Sequence, residues 1–146
     1  VSHTKIYTDG AFSPKSRRGG WAFVVVENDK VIFEKHGRLT GTTNNRCELQ
    51  AIIRAIEYSI GEKLPYFEIV TDSQYCQQGM VEWAAMWARN DWKTSSGKPV
   101  ANSDLWQHIE SLLEQVERFK VSWIRGHSGN SYNDRADFLA SKGRVA

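Results

Sequence analysis

Polar and apolar side chains alternate through Thr4-Lys5-Ile6-Tyr7-Thr8, the period of a half-buried strand, and the run stops at Asp9-Gly10. Behind Gly19-Gly20, the segment Trp21-Ala-Phe-Val-Val-Val-Glu27 is almost wholly apolar. Asn28-Asp29-Lys30 then supplies a tight turn into Val31-Ile-Phe-Glu-Lys-His36, so three consecutive strands open the chain. The period changes at Leu49, Ile52, Ile53, Ile56 and Ile60, which predict one long amphipathic helix. Thr42 to Asn45 supply its cap candidates and Gly61 its stop. Phe67-Glu-Ile-Val-Thr71 is short and β-branched, and the helix before it predicts a crossover to a strand parallel to the first. Ser73 to Trp92 predicts two short helices broken near Gly79. Leu105, Ile109, Leu112, Leu113 and Val116 predict a helix capped at Asn102 or Ser103 and running to about Val116. Phe119 to Ile124 is a fifth strand, and Ser131-Tyr-Asn-Asp134 has the form of a capping box opening a last helix. The order βββαβα(α)αβα predicts one α/β domain over residues 1–146 with a five-stranded mixed sheet, three strands antiparallel and two parallel, flanked by helices.

A chain of 146 residues can bury a core without disulfide or metal staples. Its formal charge of +2 and pI near 8.6 are only mildly basic, so attraction for a polyanion must come from local clusters such as Lys15-Ser16-Arg17-Arg18. Cys47 and Cys76 fall inside predicted helices without zinc-site spacing, which predicts reduced thiols. No apolar stretch is long enough to span a bilayer and no signal-peptide core is present, so a cytoplasmic location is expected.

Asp9 and Asp72 follow strands that the crossover makes neighbours, about 4.8 Å apart in the sheet. Open α/β sheets place ligands at such carboxyl edges. Glu48 sits in the first turns of the long helix and Asp137 in the last one. Clustered carboxylates repel unless a cation compensates, and a hard divalent cation such as magnesium suits them. The spacing leaves open a turn role for Asp9-Gly10, a surface role for Glu48, and ion pairing of Asp137 with Arg135 or Arg144.

Five segments in order, YTDGA, TTNNRCELQA, TDSQY, WKTSSGKPVANSDLW and RGHSGNSYNDRADFLA, together resemble type 1 ribonuclease H of the bacterial and phage kind and cover nearly the whole chain. The resemblance implies the ribonuclease H-like fold and endonucleolytic cleavage of the RNA strand of an RNA–DNA hybrid, leaving 5′-phosphate and 3′-hydroxyl ends. It implies two magnesium ions, with manganese as a substitute, held by Asp9, Glu48, Asp72 and Asp137, and a mobile catalytic histidine at His127. Histidine suits proton movement near neutral pH.

Asn44, Asn45 and Gln74 match family positions that reach the hybrid minor groove, where the ribose 2′-hydroxyl distinguishes RNA from DNA. Thr43 and Asn102 match a phosphate pocket, and Trp83 and Trp87 lie in a segment matching a protruding handle. Lys15, Arg17, Arg18, Arg38, Arg46, Arg89 and Lys93 are candidate phosphate contacts. Two departures stand out: the handle has few cations, and Gly41 stands where relatives often carry an arginine. Cationic charge is therefore expected to have moved into the loop around Lys15 to Arg18. A monomer acting without a membrane is expected. The competing readings are another nuclease of the same superfold, resolvase- or transposase-like, and a hybrid-binding module without catalysis.

Overall fold

A computed structural model describes residues 3–145 and gives a five-stranded sheet with helices on both faces. Strands β1 (Thr4–Ser13), β2 (Arg18–Glu27) and β3 (Lys30–Thr40) form an antiparallel meander. Helix α1 (Asn44–Gly61) crosses over to β4 (Tyr66–Thr71), which runs parallel to β1. Helix α2 (Gln74–Gln78), a π-helical turn (Gly79–Trp83), α3 (Ala84–Arg89) and α4 (Ser103–Leu113) then lead to β5 (Arg118–Trp123) and α5 (Ser131–Val145). The sheet order is β3-β2-β1-β4-β5, as the strand sequence predicts for a meander followed by two parallel additions.

The continuous apolar run in β2 has a direct cause, since this strand is covered on both faces. Trp21, Phe23 and Val25 join Ile6, Phe67, Ile69 and the apolar stripe of α1 on one side. Ala22, Val24 and Val26 pack with Tyr7, Val70 and Ala136, Leu139 and Ala140 of α5 on the other. Alternation along a pleated strand sorts the two sets. Both cysteines are buried and free, and burial pushes both thiols up, so neither is an available thiolate near neutral pH.

Several boundaries differ from the sequence expectation: β2 starts at Arg18 instead of Trp21, β3 runs on to Thr40 past His36, and four others bear on the site or its packing. β1 does not end at Asp9: its parallel pairing stops at Thr8 against Thr71, but antiparallel pairing with β2 continues to Ser13 against Arg18. The partner strand supplies ladder bonds that override the turn preference of Asp-Gly. The chain does not break at Gly79 but passes through the π-helical turn, with Gly79 lying under the ring of Trp106, where a Cβ would come within 2.1 Å. Helix α4 ends at Leu113, short of Val116. Asn130, rather than Ser131, caps α5: its Oδ1 accepts from the backbone N–H of Tyr132 (3.0 Å) and Asn133 (2.9 Å).

Candidate active site

Asp9 is buried on β1 at the point where β4 drops away, and its Oδ1 accepts the Gly10 N–H at 2.9 Å. Helix α1 begins at the Thr43 cap, whose hydroxyl accepts the Arg46 N–H at 3.3 Å. That start puts Glu48 in the second turn, buried against Asp9. The approach needs Gly10, because a Cβ there would lie 2.6 Å from the Glu48 nitrogen. Asp72 follows β4 directly, and its carbonyl accepts the Trp123 indole N–H at 2.9 Å. Carboxylate oxygens of Asp9, Glu48 and Asp72 all lie within 4.8 Å of one another. Asp137, half-buried on α5, is near enough for its charge to act on both Asp9 and Asp72. His127 is exposed in the loop before α5, with a left-handed φ of 55°, and its charge acts on Asp72.

The electrostatics of this cluster are unfavourable without a cation. Burial, then the charges of Asp72 and Asp137, push the Asp9 carboxyl up to about 8, against the lowering effect of the Gly10 and Glu48 hydrogen bonds. Burial and the charges of Asp9 and Asp72 raise Glu48 well above its ordinary range. Asp72 is raised by burial and by Asp137, while His127 pulls it down. Glu48 Oε1 is buried with no hydrogen-bond partner in the structure. An orphaned carboxylate oxygen facing two further carboxylates is a donor set that fits a hard divalent cation.

Gly10→Ala is expected to force α1 away from β1. The predicted result is a loss of about 1–3 kcal/mol in urea unfolding together with a drop in catalytic rate. Unchanged stability and rate would mean that the approach of the two elements is not constrained.

The remaining positions predicted from sequence lie on several different elements. Asn44 and Asn45 are exposed in the first turn of α1, and Gln74 is exposed at the start of α2, beside Asp72. Thr43 is exposed and already used as a cap. Asn102, at a left-handed φ of 59°, donates to the Tyr75 hydroxyl at 3.1 Å and accepts from Arg46 at 3.3 Å. Arg46 itself is committed to a bidentate pair with Asp104 at 2.9 and 2.7 Å. Trp83 and Trp87 are half-buried and pack in a ring cluster with Tyr75 and Trp106. Arg89 and Lys93 are exposed near the end of this segment, Arg38 is exposed on β3, and Lys15, Arg17 and Arg18 are exposed at the β1–β2 hairpin. Sequence reasoning missed Tyr75, whose hydroxyl also accepts from Trp106 Nε1 at 3.0 Å and so joins α2 to α4. Its place directly after Gln74 in TDSQY was the available signal.

Comparison with known proteins agrees with this geometry. The family model described as RNase H matches residues 2–145. Ribonuclease H of a Cyanothece strain is 45% identical over 94% of this chain and 86% of its own. Ribonuclease H of Treponema denticola is 41% identical over 93% of both chains. Among solved structures, LC9-RNase H1, described as a type 1 RNase H with the type 2 active-site motif, superposes with a TM-score of 0.83 at 27% identity, covering 99% of this chain and 73% of that one. A foamy viral protease-reverse transcriptase, solved in complex with RNA/DNA hybrid, shares the fold at a TM-score of 0.85 and 22% identity, over 97% of this chain and 20% of its own. With the family match spanning nearly every residue and the acidic cluster assembled at one sheet edge, the chain belongs to the RNase H family.

Proposed function

We propose that this chain is one RNase H catalytic unit over residues 1–146 that hydrolyses the RNA strand of RNA–DNA hybrids, leaving 5′-phosphate and 3′-hydroxyl ends. The observation that carries the reading is the convergence of Asp9, Glu48 and Asp72 within 4.8 Å, with Asp137 acting on two of them and Glu48 Oε1 left without a partner. Asp9, Glu48, Asp72 and Asp137 would hold two magnesium ions, for which manganese would substitute. Divalent ions supply Lewis-acid activation of water and neutralise charge developing on the scissile phosphate.

Each protein group then has a defined task. Burial and mutual repulsion disfavour the ionised forms of Asp9, Glu48 and Asp72, and bound cations would favour them. His127, exposed in the loop before α5 and near enough for its charge to act on Asp72, would move protons between the site and solvent. Asn44, Asn45 and Gln74 present amide groups beside the cluster, suited to the 2′-hydroxyl and minor-groove edges that distinguish RNA from DNA. Thr43 and Asn102 border the start of α1 and would contact a backbone phosphate, with Arg46 orienting Asn102. Trp83 and Trp87 give an aromatic surface for a sugar-phosphate strand, flanked by Arg89 and Lys93.

The structural neighbour bound to RNA/DNA hybrid supports the choice of substrate. No described helix is long and apolar enough to cross a membrane, and we read the chain as a cytoplasmic monomer. Cleavage of matched RNA–DNA hybrid, double-stranded RNA and double-stranded DNA, with and without magnesium, tests the proposal. Only the hybrid should be cut, and only with the metal. Double-stranded DNA as the preferred substrate would favour a resolvase- or transposase-like reading, and tight hybrid binding without cleavage would favour a binding module.

His127→Ala is expected to lower turnover about a hundredfold without abolishing it, since water can partly replace a proton-moving group. An unchanged rate from pH 6 to 9 would leave His127 as an ordinary loop residue.

A further inference from the structure

We infer that the β1–β2 hairpin tip is a phosphate grip, in which Lys15, Arg17 and Arg18 hold the sugar-phosphate backbone of the hybrid some distance from the cleavage site. This inference rests on the reading of the chain as a hybrid nuclease. β1 and β2 stay paired beyond the last parallel pair, from Asp9 against Ala22 to Ser13 against Arg18. The hairpin therefore projects past the sheet edge that bears Asp9 and Asp72, towards any ligand lying across it. Four residues of extended strand from Asp9 to Ser13 cover about 14 Å, or about four base pairs at the axial spacing of phosphates along one strand.

The tip is pinned on both sides. Within the hairpin, the Arg17 N–H donates to the Ser13 carbonyl at 2.9 Å and the Arg18 N–H to the Ser16 hydroxyl at 3.3 Å. From outside, the Gly41 N–H donates to the Arg17 carbonyl at 3.1 Å. Gly41 has a φ of +59° and open space around its Cβ position, so it adds a backbone anchor and no side chain. Two residues later Thr43 caps α1, the helix that carries Asn44, Asn45 and Glu48. The cations are thus fixed to the same end of the molecule as the site, and a pre-ordered tip loses less entropy on binding than a free loop.

The charge at the tip is also available. Lys15, Arg17 and Arg18 are exposed and have no ion-pair partner among the described residues. By contrast Arg46 is bound to Asp104, Arg54 to Glu57 and Arg135 to Glu34. No acidic residue lies in the chain between Asp9 and Glu27. Three cations within four residues, with no anion of their own, are a footprint for a phosphodiester backbone.

The test measures hybrid binding against salt for the parent, for the triple variant Lys15→Ser, Arg17→Ser, Arg18→Ser, and for a charge-matched control, Lys30→Ser, Lys63→Ser, Lys120→Ser, whose sites lie away from the hairpin. The hairpin variant should bind about tenfold more weakly at 0.15 M salt, with the slope of log affinity against log salt flatter by about one to two units. The control should follow the parent. On hybrids with neutral methylphosphonate linkages in the strand that the tip holds, the deficit of the hairpin variant should vanish. Equal losses in hairpin variant and control, no change in slope, or a deficit that vanishes with neutral linkages in neither strand would overturn the inference. Cleavage of hybrid by the parent is measured alongside, so that failure of the nuclease reading is told apart from failure of the grip.

Discussion

Asp9→Asn should abolish metal-dependent cleavage, by about a thousandfold or more, while hybrid binding survives or tightens. Asp9, buried like Glu48, lies next to both Glu48 and Asp72, and the charges of Asp72 and Asp137 both bear on it. On the proposed function, replacing its carboxylate with an amide would remove a charged cation ligand and also a negative charge facing the substrate phosphates. The two effects separate cleanly in single-turnover rates and in binding measured without metal. A variant that cleaves within about tenfold of the parent in magnesium would contradict the assignment.

Stability of the metal-free protein should fall as pH rises from about 5 to 8, and a divalent cation should restore it. The direction follows from proton uptake. Asp9 has an unfolded value near 3.8 and is pushed up to about 8 in the folded chain, so between those limits the folded state binds more protons than the unfolded one. This contribution is greatest at low pH, declines across that interval while only the folded carboxyl keeps its proton, and levels off once the folded carboxyl ionises. Glu48 is shifted in the same direction by burial and by Asp9 and Asp72. The expected loss is about 2–4 kcal/mol across this range. Magnesium should raise the melting temperature more at pH 8 than at pH 5, and Asp9→Asn should flatten the pH dependence. Thermal melts in chelator and in magnesium check this; a metal-free protein that gains stability steadily from pH 5 to 8 would contradict the electrostatics described for the site.

The parts of the fold set by local period were legible in the sequence. Leu49, Ile52, Ile53 and Ile56 mark the face of α1 that is buried, and the apolar run of β2 reflects cover on both faces. Features set by distant partners were not legible. The extension of β1 past Asp9 depends on pairing with Arg18 to Ala22, and nothing in Asp9-Gly10 itself announces it. The close approach of Gly79, in the π-helical turn, to the Trp106 ring is likewise set by a distant partner. The pairing of Arg46 with Asp104, 58 residues later, is invisible to local reading. For the site, strand ends located Asp72 and helix starts located Glu48, but convergence needs the crossover geometry that brings α1 over β1. The resemblance supplied that convergence, and the geometry of Asp9, Glu48 and Asp72 agrees with it. The Asn130 cap was within reach of local reading, since an asparagine one residue before Ser131 meets the same capping rule.

The most direct test of the central claim is to follow each strand of a matched RNA–DNA hybrid separately, with end labels on RNA and on DNA, in magnesium and in chelator. The account predicts that the RNA strand alone is cut, internally, to fragments with 5′-phosphate and 3′-hydroxyl ends, and that chelator stops the reaction. Cleavage of the DNA strand at a comparable rate, or RNA cleavage that continues in chelator, would contradict it.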